Sequence, residues 1–290
     1  MWAQILDILA ATLRLATPLL LAAMGGLLSE RAGVINLALE GKMLVGAFAA
    51  AVITLATGSP WLGFAGGGLA GVLLAGIYGV AVLPLKANQI VAATGINMLA
   101  AGIPPFVAKI LYDVTGSTPS IELAHRFAAF PMFLAMASPF ALWWVLARTR
   151  AGLRLSFAGE HPEALAAAGI NVIRVRWAAL LTAGAFAGLG GASLSIFLSS
   201  AYSRNMSSGR GFMALAALIL GKWRPLPTLL ACLFFGLADA GQIRLQSLEI
   251  GGTYKVPVQF IQILPYVLTI VVLAGFVGRS RAPKALGEPI

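Results

Sequence analysis

Charge is what this chain has least of. Only 10% of its 290 residues are Asp, Glu, Lys or Arg, where a soluble domain carries about 25%, so a water-facing globular surface is excluded. Cysteine occurs once, at Cys232 inside an apolar stretch. That rules out an internal disulfide and a cysteine metal cluster, and leaves a small buried hydrophobe. The two histidines, His125 and His161, fall in separate loops, and no His/Glu cluster at helical spacing offers a metal site. A metal site is therefore not expected. No two carboxylates lie close together within an apolar stretch, which leaves acid–base catalysis without candidates. No catalytic residue is assigned, and the chain is not expected to be an enzyme.

The chain is rich in hydrocarbon instead. Hydrophobic residues make up 59% of it, with a mean hydropathy of +0.90. Several windows supply the roughly 20 apolar residues that a helix needs to cross a bilayer: 5–28, 34–57, 60–83, 89–108, 128–147, 177–198, 226–243 and 258–277. They lack the alternation of barrel strands and carry Gly and Ala at helical spacing, so an all-α polytopic bundle of about 8–10 transmembrane helices is predicted. Asp7 and Arg14 interrupt the first apolar run, which is unlike a cleaved leader. The first span is expected to persist. One transmembrane domain over 1–290 is expected, without soluble domains or long linkers.

The net charge of +10 is explained by topology and does not call for nucleic acid. Arg148, Arg150, Arg154, Arg174 and Arg176 bracket one loop, and Arg279, Arg281 and Lys284 follow the last span. Short loops rich in Lys and Arg stay on the cytoplasmic side, which places both the loop at 148–176 and the C-terminus there. The stretch 212–221 is too short to cross and reads as a half-helix, with the chain at 203–211 packed at membrane depth against protein. Lys222 and Arg224, ahead of Pro225 and Pro227, mark a tight turn. If every upstream window crosses fully, the N-terminus lies outside; if 29–42 is a re-entrant break, it lies inside.

Two Gly-Lys pairs invite a test for a phosphate-binding loop. Asn36 and Ala216 stand where the first Gly is required, and Met43 and Trp223 where Ser or Thr is, so neither pair fits. Gly66, Gly68 and Gly71 match G-x-G-x-x-G but sit inside an apolar span with no strand before them. Close helix packing through pairs such as Gly67/Gly71 and Gly184/Gly188 is the better reading. Among ionisable groups that could lie at membrane depth, Lys109 and Asp239 read as interfacial. Glu40, beside Asn36 and Gly41 in a broken helix, fits either an interface or a pathway. Asn88, Gln89, Asn97 and Asn205 add neutral hydrogen-bonding groups suited to a polar, uncharged cargo, or simply to joining helices. A weak internal echo links 31–42 with 210–222, each running from Arg to Gly-Lys.

The most polar stretch is "AGEHPEALAAAGINVIRVR" at 158–176. Pro belongs in a helix's first turn, acids favour its positive end, Ala propagates it, and Gly closes it in a left-handed cap. A helix over 162–168 is predicted, about 10 Å long and outside the bilayer. So short a helix is marginal in water without a partner. It could fill a groove of another protein with its small Ala face, or be an ordinary structured loop.

This stretch, together with "SERAGVINLALEGKMLVGAF", "KANQIVAATGINMLA", "GRGFMALAALILGKWRP" and "QFIQILPYVLTIVVLAGFVGRSRAPKALGEP", resembles the permease subunits of bacterial ATP-binding-cassette importers. The likeness is to the branched-chain amino acid/ribose type, in the branch associated with nucleosides and simple sugars. It covers nearly the whole chain; Lys42 and Trp223 are mild departures. It implies a bacterial inner-membrane protein with no cofactor of its own and a separate ATPase subunit that binds ATP and Mg. It also implies a second permease, a different but related chain in preference to a second copy of this one, and an extracytoplasmic solute-binding lipoprotein or periplasmic protein. The coupling helix carried onto this sequence is 160–170, with Glu160, His161, Pro162, Glu163, Ala166, Ala167, Gly169 and Ile170, and Asn171 just beyond it. The segment holding Asn36 and Glu40 resembles the region placed along the pathway. An ion-coupled secondary transporter is the alternative, and an intramembrane enzyme a more remote one.

Overall fold

The computed structural model describes residues 2–246, 267 and 281–288. The span expected at 258–277 lies, save Val267, outside them. Ten α-helices are described: α1 (Trp2–Arg31), α2 (Leu39–Thr57), α3 (Pro60–Val82), α4 (Gln89–Tyr112), α5 (Phe130–Arg148), α6 (Arg150–Glu160), α7 (Pro162–Ala167), α8 (Val172–Ser193), α9 (Arg210–Leu220) and α10 (Pro225–Gln246). Among the described residues, seven segments are long and apolar enough to cross a membrane, and α9 is a short apolar helix beside them. The all-α polytopic architecture expected from the sequence is thus the one observed.

Helix ends obey local chemistry. Gly58 closes α2 in a left-handed cap, its amide bonding Thr54 O, and Pro60 opens α3 two residues on. Asn88 accepts from the amides of Ile90 and Val91 at the start of α4, and Asn171 accepts from that of Arg174 at the start of α8. The two asparagines satisfy amides that a helix's first turn leaves without partners, and Gly58 serves a carbonyl of the last turn.

The bundle is packed with its small residues inward. α3 turns Leu69, Leu73, Ile77 and Val80 outward, exposed, and buries Gly63, Gly67 and Gly71. Lipid is as apolar as leucine, so burying large side chains gains little there, and close backbone contact drives association. A β-carbon on Gly184 would lie 2.5 Å from the carbonyl oxygen of Gly71, and one on Gly67 would lie 2.7 Å from that of Gly46. The G-x-G-x-x-G match is a packing seam joining α2, α3 and α8, as the sequence suggests. These helices and α1 form the centre.

One end of the bundle gathers the ends of α1, α5 and α9, the helices α6 and α7, the start of α10 and the tail at 281–288. At the other end the loop after α4 meets the segment after α8, through amide bonds from Thr118 to Tyr202 O and from Ile121 to Ser200 O. α1 runs toward the α7 end and α2 runs back.

A residue larger than Gly at 188 must push α3 away, because its β-carbon would collide with Gly67 O. Gly188→Val is expected to destabilise the protein by about 1–3 kcal/mol. Gly95→Ala, with nothing within 4 Å of the added carbon, is expected to be neutral or slightly stabilising. Thermal unfolding of the two variants in the same detergent or nanodisc checks this.

Candidate translocation and coupling sites

Between α1 and α2 the chain leaves helical geometry over residues 32–38, although the apolar window read from the sequence begins at residue 34. The difference has a physical cause: Gly33 lies at φ +92°, and distant side chains hold the backbone of residues 35–41. Gln89 Oε1 accepts from the amide of Ile35 at 2.8 Å. Tyr78 Oη donates to Ile35 O at 2.6 Å. Asn97 Nδ2 donates to Leu37 O, and its Oδ1 accepts from the amide of Gly41, both at 2.9 Å. Asn97 lies eight residues beyond Gln89 on α4, about 12 Å along the helix, so the extended segment descends into the bundle. Non-helical backbone at that depth persists only where protein satisfies its polar groups.

Asn36 is fully buried at the bend. Its Nδ2 donates to Ser29 Oγ at 2.9 Å, and its Oδ1 accepts from Lys42 Nζ at 2.5 Å. The Lys42 ammonium, itself fully buried, stands 4.8 Å from the centre of the Tyr78 ring, a cation–π arrangement. On the other side of the bend, Glu30 Oε2 accepts from Trp223 Nε1 at 2.7 Å. That contact ties the end of α1 to the turn between α9 and α10.

Glu40 sits one turn further in and closes the second break. Its Oε1 accepts from Ser207 Oγ at 2.6 Å and from the amide of Gly209 at 2.8 Å. Its Oε2 accepts from the amide of Gly211 at 2.6 Å. The carboxylate therefore caps the N-terminus of α9 from another helix, where the half-helix presents unpaired amides and the positive end of its dipole. Only the part of 203–211 that meets Glu40 is packed against protein, since Ser207 and Gly211 are buried while Ser203, Arg204, Asn205 and Ser208 are exposed; the two segments of the weak internal echo touch there.

The remaining polar residues read from the sequence are distributed around this core. Asn36, Glu40, Gln89 and Asn97 are brought together along the break. Asn88 lies at the α7 end as a helix cap. Asn205 occupies a left-handed turn position, φ +57°, in the approach to α9. Lys109 pairs with Asp113 at 2.6 Å on an exposed helix end, in keeping with an interfacial position. Asp239 is half-buried on α10. Tyr78, Ser207 and Ser29 complete the network. They carried no sequence signal, since nothing local distinguishes them from other hydroxyls in apolar helices.

The loop after α5 folds as two short helices. α7 spans Pro162–Ala167 and is succeeded by Gly169 at φ +76°, matching the expected helix and its glycine cap within a residue. Leu165 packs with Ala158, Val172 and Ile170, leaving Glu163, Ala166 and Ala167 exposed. Glu160, His161, Pro162 and Glu163 line a hollow of about 360 Å³ with Lys284 and Glu288. Ala166, Gly169, Ile170 and Asn171 line another of about 380 Å³.

This loop is anchored to the break. The amide of Ala285 donates to Gly159 O at 2.8 Å, and that of Gly287 donates to Gly33 O at 3.0 Å. Arg176, read from the sequence as a loop charge, is instead buried: its Nη1 donates to Glu288 O at 2.8 Å. Arg31 donates to Ser156 Oγ at 3.1 Å. The tail thus straps α6 to the α1–α2 bend, a contact without a signature in the sequence.

A polytopic helical bundle with a broken pair of helices at its centre and a small exposed helix strapped to that break is the architecture of a membrane transport component. The chain belongs to the family described as branched-chain amino acid transport system / permease component, whose pattern matches residues 8–273. It is 38% identical to the guanosine ABC transporter permease protein NupQ of Bacillus subtilis, over 99% of this chain and 97% of that one. It is 37% identical to the nucleoside ABC transporter permease protein NupC of Lactococcus lactis, over 97% and 95%. The putative glucose ABC transporter permease protein TsgC13 of Haloferax volcanii is 34% identical, over 96% and 93%. No solved structure matches the chain. No group of three or more His, Cys, Asp or Glu that could hold a metal occurs among the described residues.

Replacing one acceptor oxygen of Glu40 by an amide sets a donor against donors. Glu40→Gln is expected to lower stability by about 2 kcal/mol, the scale of a hydrogen bond to a charged group, while membrane insertion is retained. Thermal unfolding together with protease accessibility at 203–209 measures it; an unchanged midpoint would remove the capping role.

Proposed function

We propose that this chain is the permease subunit of an ATP-binding-cassette importer that carries a nucleoside or a simple sugar inward, with ATP and Mg bound and hydrolysed on a separate ATPase subunit. Family membership and the names of three relatives that align along almost their full length support the class of transporter and of cargo. The observation that carries the coupling mechanism is α7: a helix of under two turns, capped by Pro162 and Gly169, exposing Ala166 and Ala167 and strapped through Gly159 to the central break. Such a helix is marginal alone and gains from a protein groove. Its small side chains let it enter deeply. The neighbouring hollow sets Glu160, Glu163 and Glu288 against Lys284 alone, and that acidic balance suits a basic side chain of the ATPase.

The α7 end is assigned to the cytoplasm because it carries Arg31, Lys86, Arg148, Arg150, Arg154, Arg174, Lys222, Arg224, Arg281 and Lys284, in accord with the positive-inside rule. The C-terminus is then cytoplasmic, and α1 starts on the outer side. A second permease completes the pore and an extracytoplasmic solute-binding protein delivers the cargo. In the cycle, the ATPase displaces α7, the strap passes that motion to the α1–α2 bend, and the two half-pores exchange access. Polar groups along the break, among them Asn36, Asn97 and Glu40, border the path.

Replacing Ala166 and Ala167 together by Trp is expected to reduce ATPase co-purification by about tenfold, the scale of a lost interface hot spot, and to abolish ATP-driven uptake, with unchanged membrane insertion. Uptake at the wild-type rate in that variant would falsify the docking assignment.

A further inference from the structure

A groove of about 490 Å³ opens at the α7 end between the ends of α1 and α5 and the start of α10, lined by Arg31, Trp143, Leu146, Arg224 and Leu226 among others. Its level is fixed by three helix ends: Arg31 closes α1, Arg148 closes α5 and Pro225 opens α10. The groove therefore sits where apolar helix surface gives way to charged loops. Trp143 is 47% exposed and Leu230, one turn along α10 from Leu226, is 68% exposed. An apolar wall thus runs from the groove toward the membrane interior, with an indole at its mouth, the side chain favoured at headgroup depth.

The charge without a partner in the groove is that of Arg224. Arg224 is exposed, and its guanidinium has no hydrogen-bond or ion-pair partner among the described residues. Arg31 feels Glu160 more than Arg224, so its charge is answered in part from outside the groove, while Arg224 stands beside it in the lining with none. Two guanidiniums beside each other repel unless an anion joins them, and a guanidinium pairs well with phosphate.

The backbone holds this arrangement at a cost. Lys222 and Trp223 are both at φ +52°, a left-handed conformation that costs about 1–2 kcal/mol for each non-glycine residue. Trp223 is pinned by its indole bond to Glu30 and by its carbonyl, which accepts from Arg31 Nη1 at 3.4 Å. The strained turn fixes where Arg224 emerges relative to Arg31.

We propose that this groove binds an anionic phospholipid, its phosphate between Arg31 and Arg224 and its acyl chain along Trp143, Leu226 and Leu230. A basic pocket between membrane helices with an apolar continuation is suited to such a headgroup. The phosphate is singly charged in both lipids, but the choline of a zwitterionic lipid cancels it, so only an anionic lipid brings net negative charge to the guanidiniums. The site does not depend on the cargo or on the docking of α7.

The test uses the full-length chain in nanodiscs of phosphatidylcholine, with or without about one fifth phosphatidylglycerol, a composition chosen to present an anionic headgroup at physiological surface density. Thermal midpoints and the anionic lipid retained through purification are both measured. Wild type is expected to retain phosphatidylglycerol and to melt higher in its presence. Arg224→Gln is expected to bind it about fivefold more weakly, with the wild-type midpoint in pure phosphatidylcholine. Trp143→Ala is expected to lose part of the retention, and Lys86→Gln, an exposed charge at the same end but outside the groove, none of it. Wild-type retention in Arg224→Gln overturns the proposal. So does an equal rise in midpoint from inorganic phosphate, which would make this a site for a soluble anion.

Discussion

The carboxylate of Glu40 is the interaction on which the centre of this protein depends. A half-helix that begins inside the bilayer exposes amides with no water to receive them, each a cost of several kcal/mol in hydrocarbon. α9 begins in that position, and Glu40 of α2 answers two of its amides and a serine hydroxyl with two oxygens. The sequence on the α9 side is shaped to admit it. A β-carbon at residue 211 would lie 2.5 Å from the Glu40 Cα, so only glycine lets the helix start against α2. The charge is also placed at the positive end of α9, where the helix dipole favours it.

The same logic extends outward in steps. The bend before α2 is held by Gln89, Tyr78 and Asn97, and is joined to the α9–α10 turn through Glu30 and Trp223. From the bend, Gly33 accepts from the tail, the tail reaches Gly159, and Gly159 precedes α7 by three residues. Each link through the tail is a backbone hydrogen bond, made by the turn at 281–288 to the last turn of α6 at one side and to the bend after α1 at the other. In the coupling proposed above, a push on α7 reaches the broken helices through this short route.

Much of this is legible in the sequence because it is local. Apolar runs mark the spans, and the glycine seam shows as small residues four apart. Pro162, Glu163, the alanines and Gly169 spell out α7 within a residue of its observed end. Pairings between side chains and distant backbone stay hidden. Nothing near Glu40 says that its acceptors serve residues 207–211, and nothing near Tyr78 says that its hydroxyl holds Ile35. Arg176 looks like one more loop cation because burial by a C-terminal strap leaves no periodic trace. The onset of α2 reads as Val34 for a related reason: 34–38 is as apolar as a helix, and its partners on α3 and α4 hold it out of helical geometry.

These hidden pairings bear on where the driving energy enters. An ion-coupled carrier needs a carboxylate or other ligand at mid-depth that is free to take and release a cation. Glu40 already accepts from three donors, and releasing it for an ion would uncap α9 and leave buried amides unpaired. Lys42, the cation buried nearby, is bonded to Asn36 and lies against Tyr78, so it too is built into the scaffold. A centre whose ionisable groups are committed to holding broken helices is poorly suited to harvesting an ion gradient, yet well suited to being displaced as a unit. Under the proposed function, the displacement begins at the end where the small, exposed α7 lies, and a motor acting there leaves the cap undisturbed.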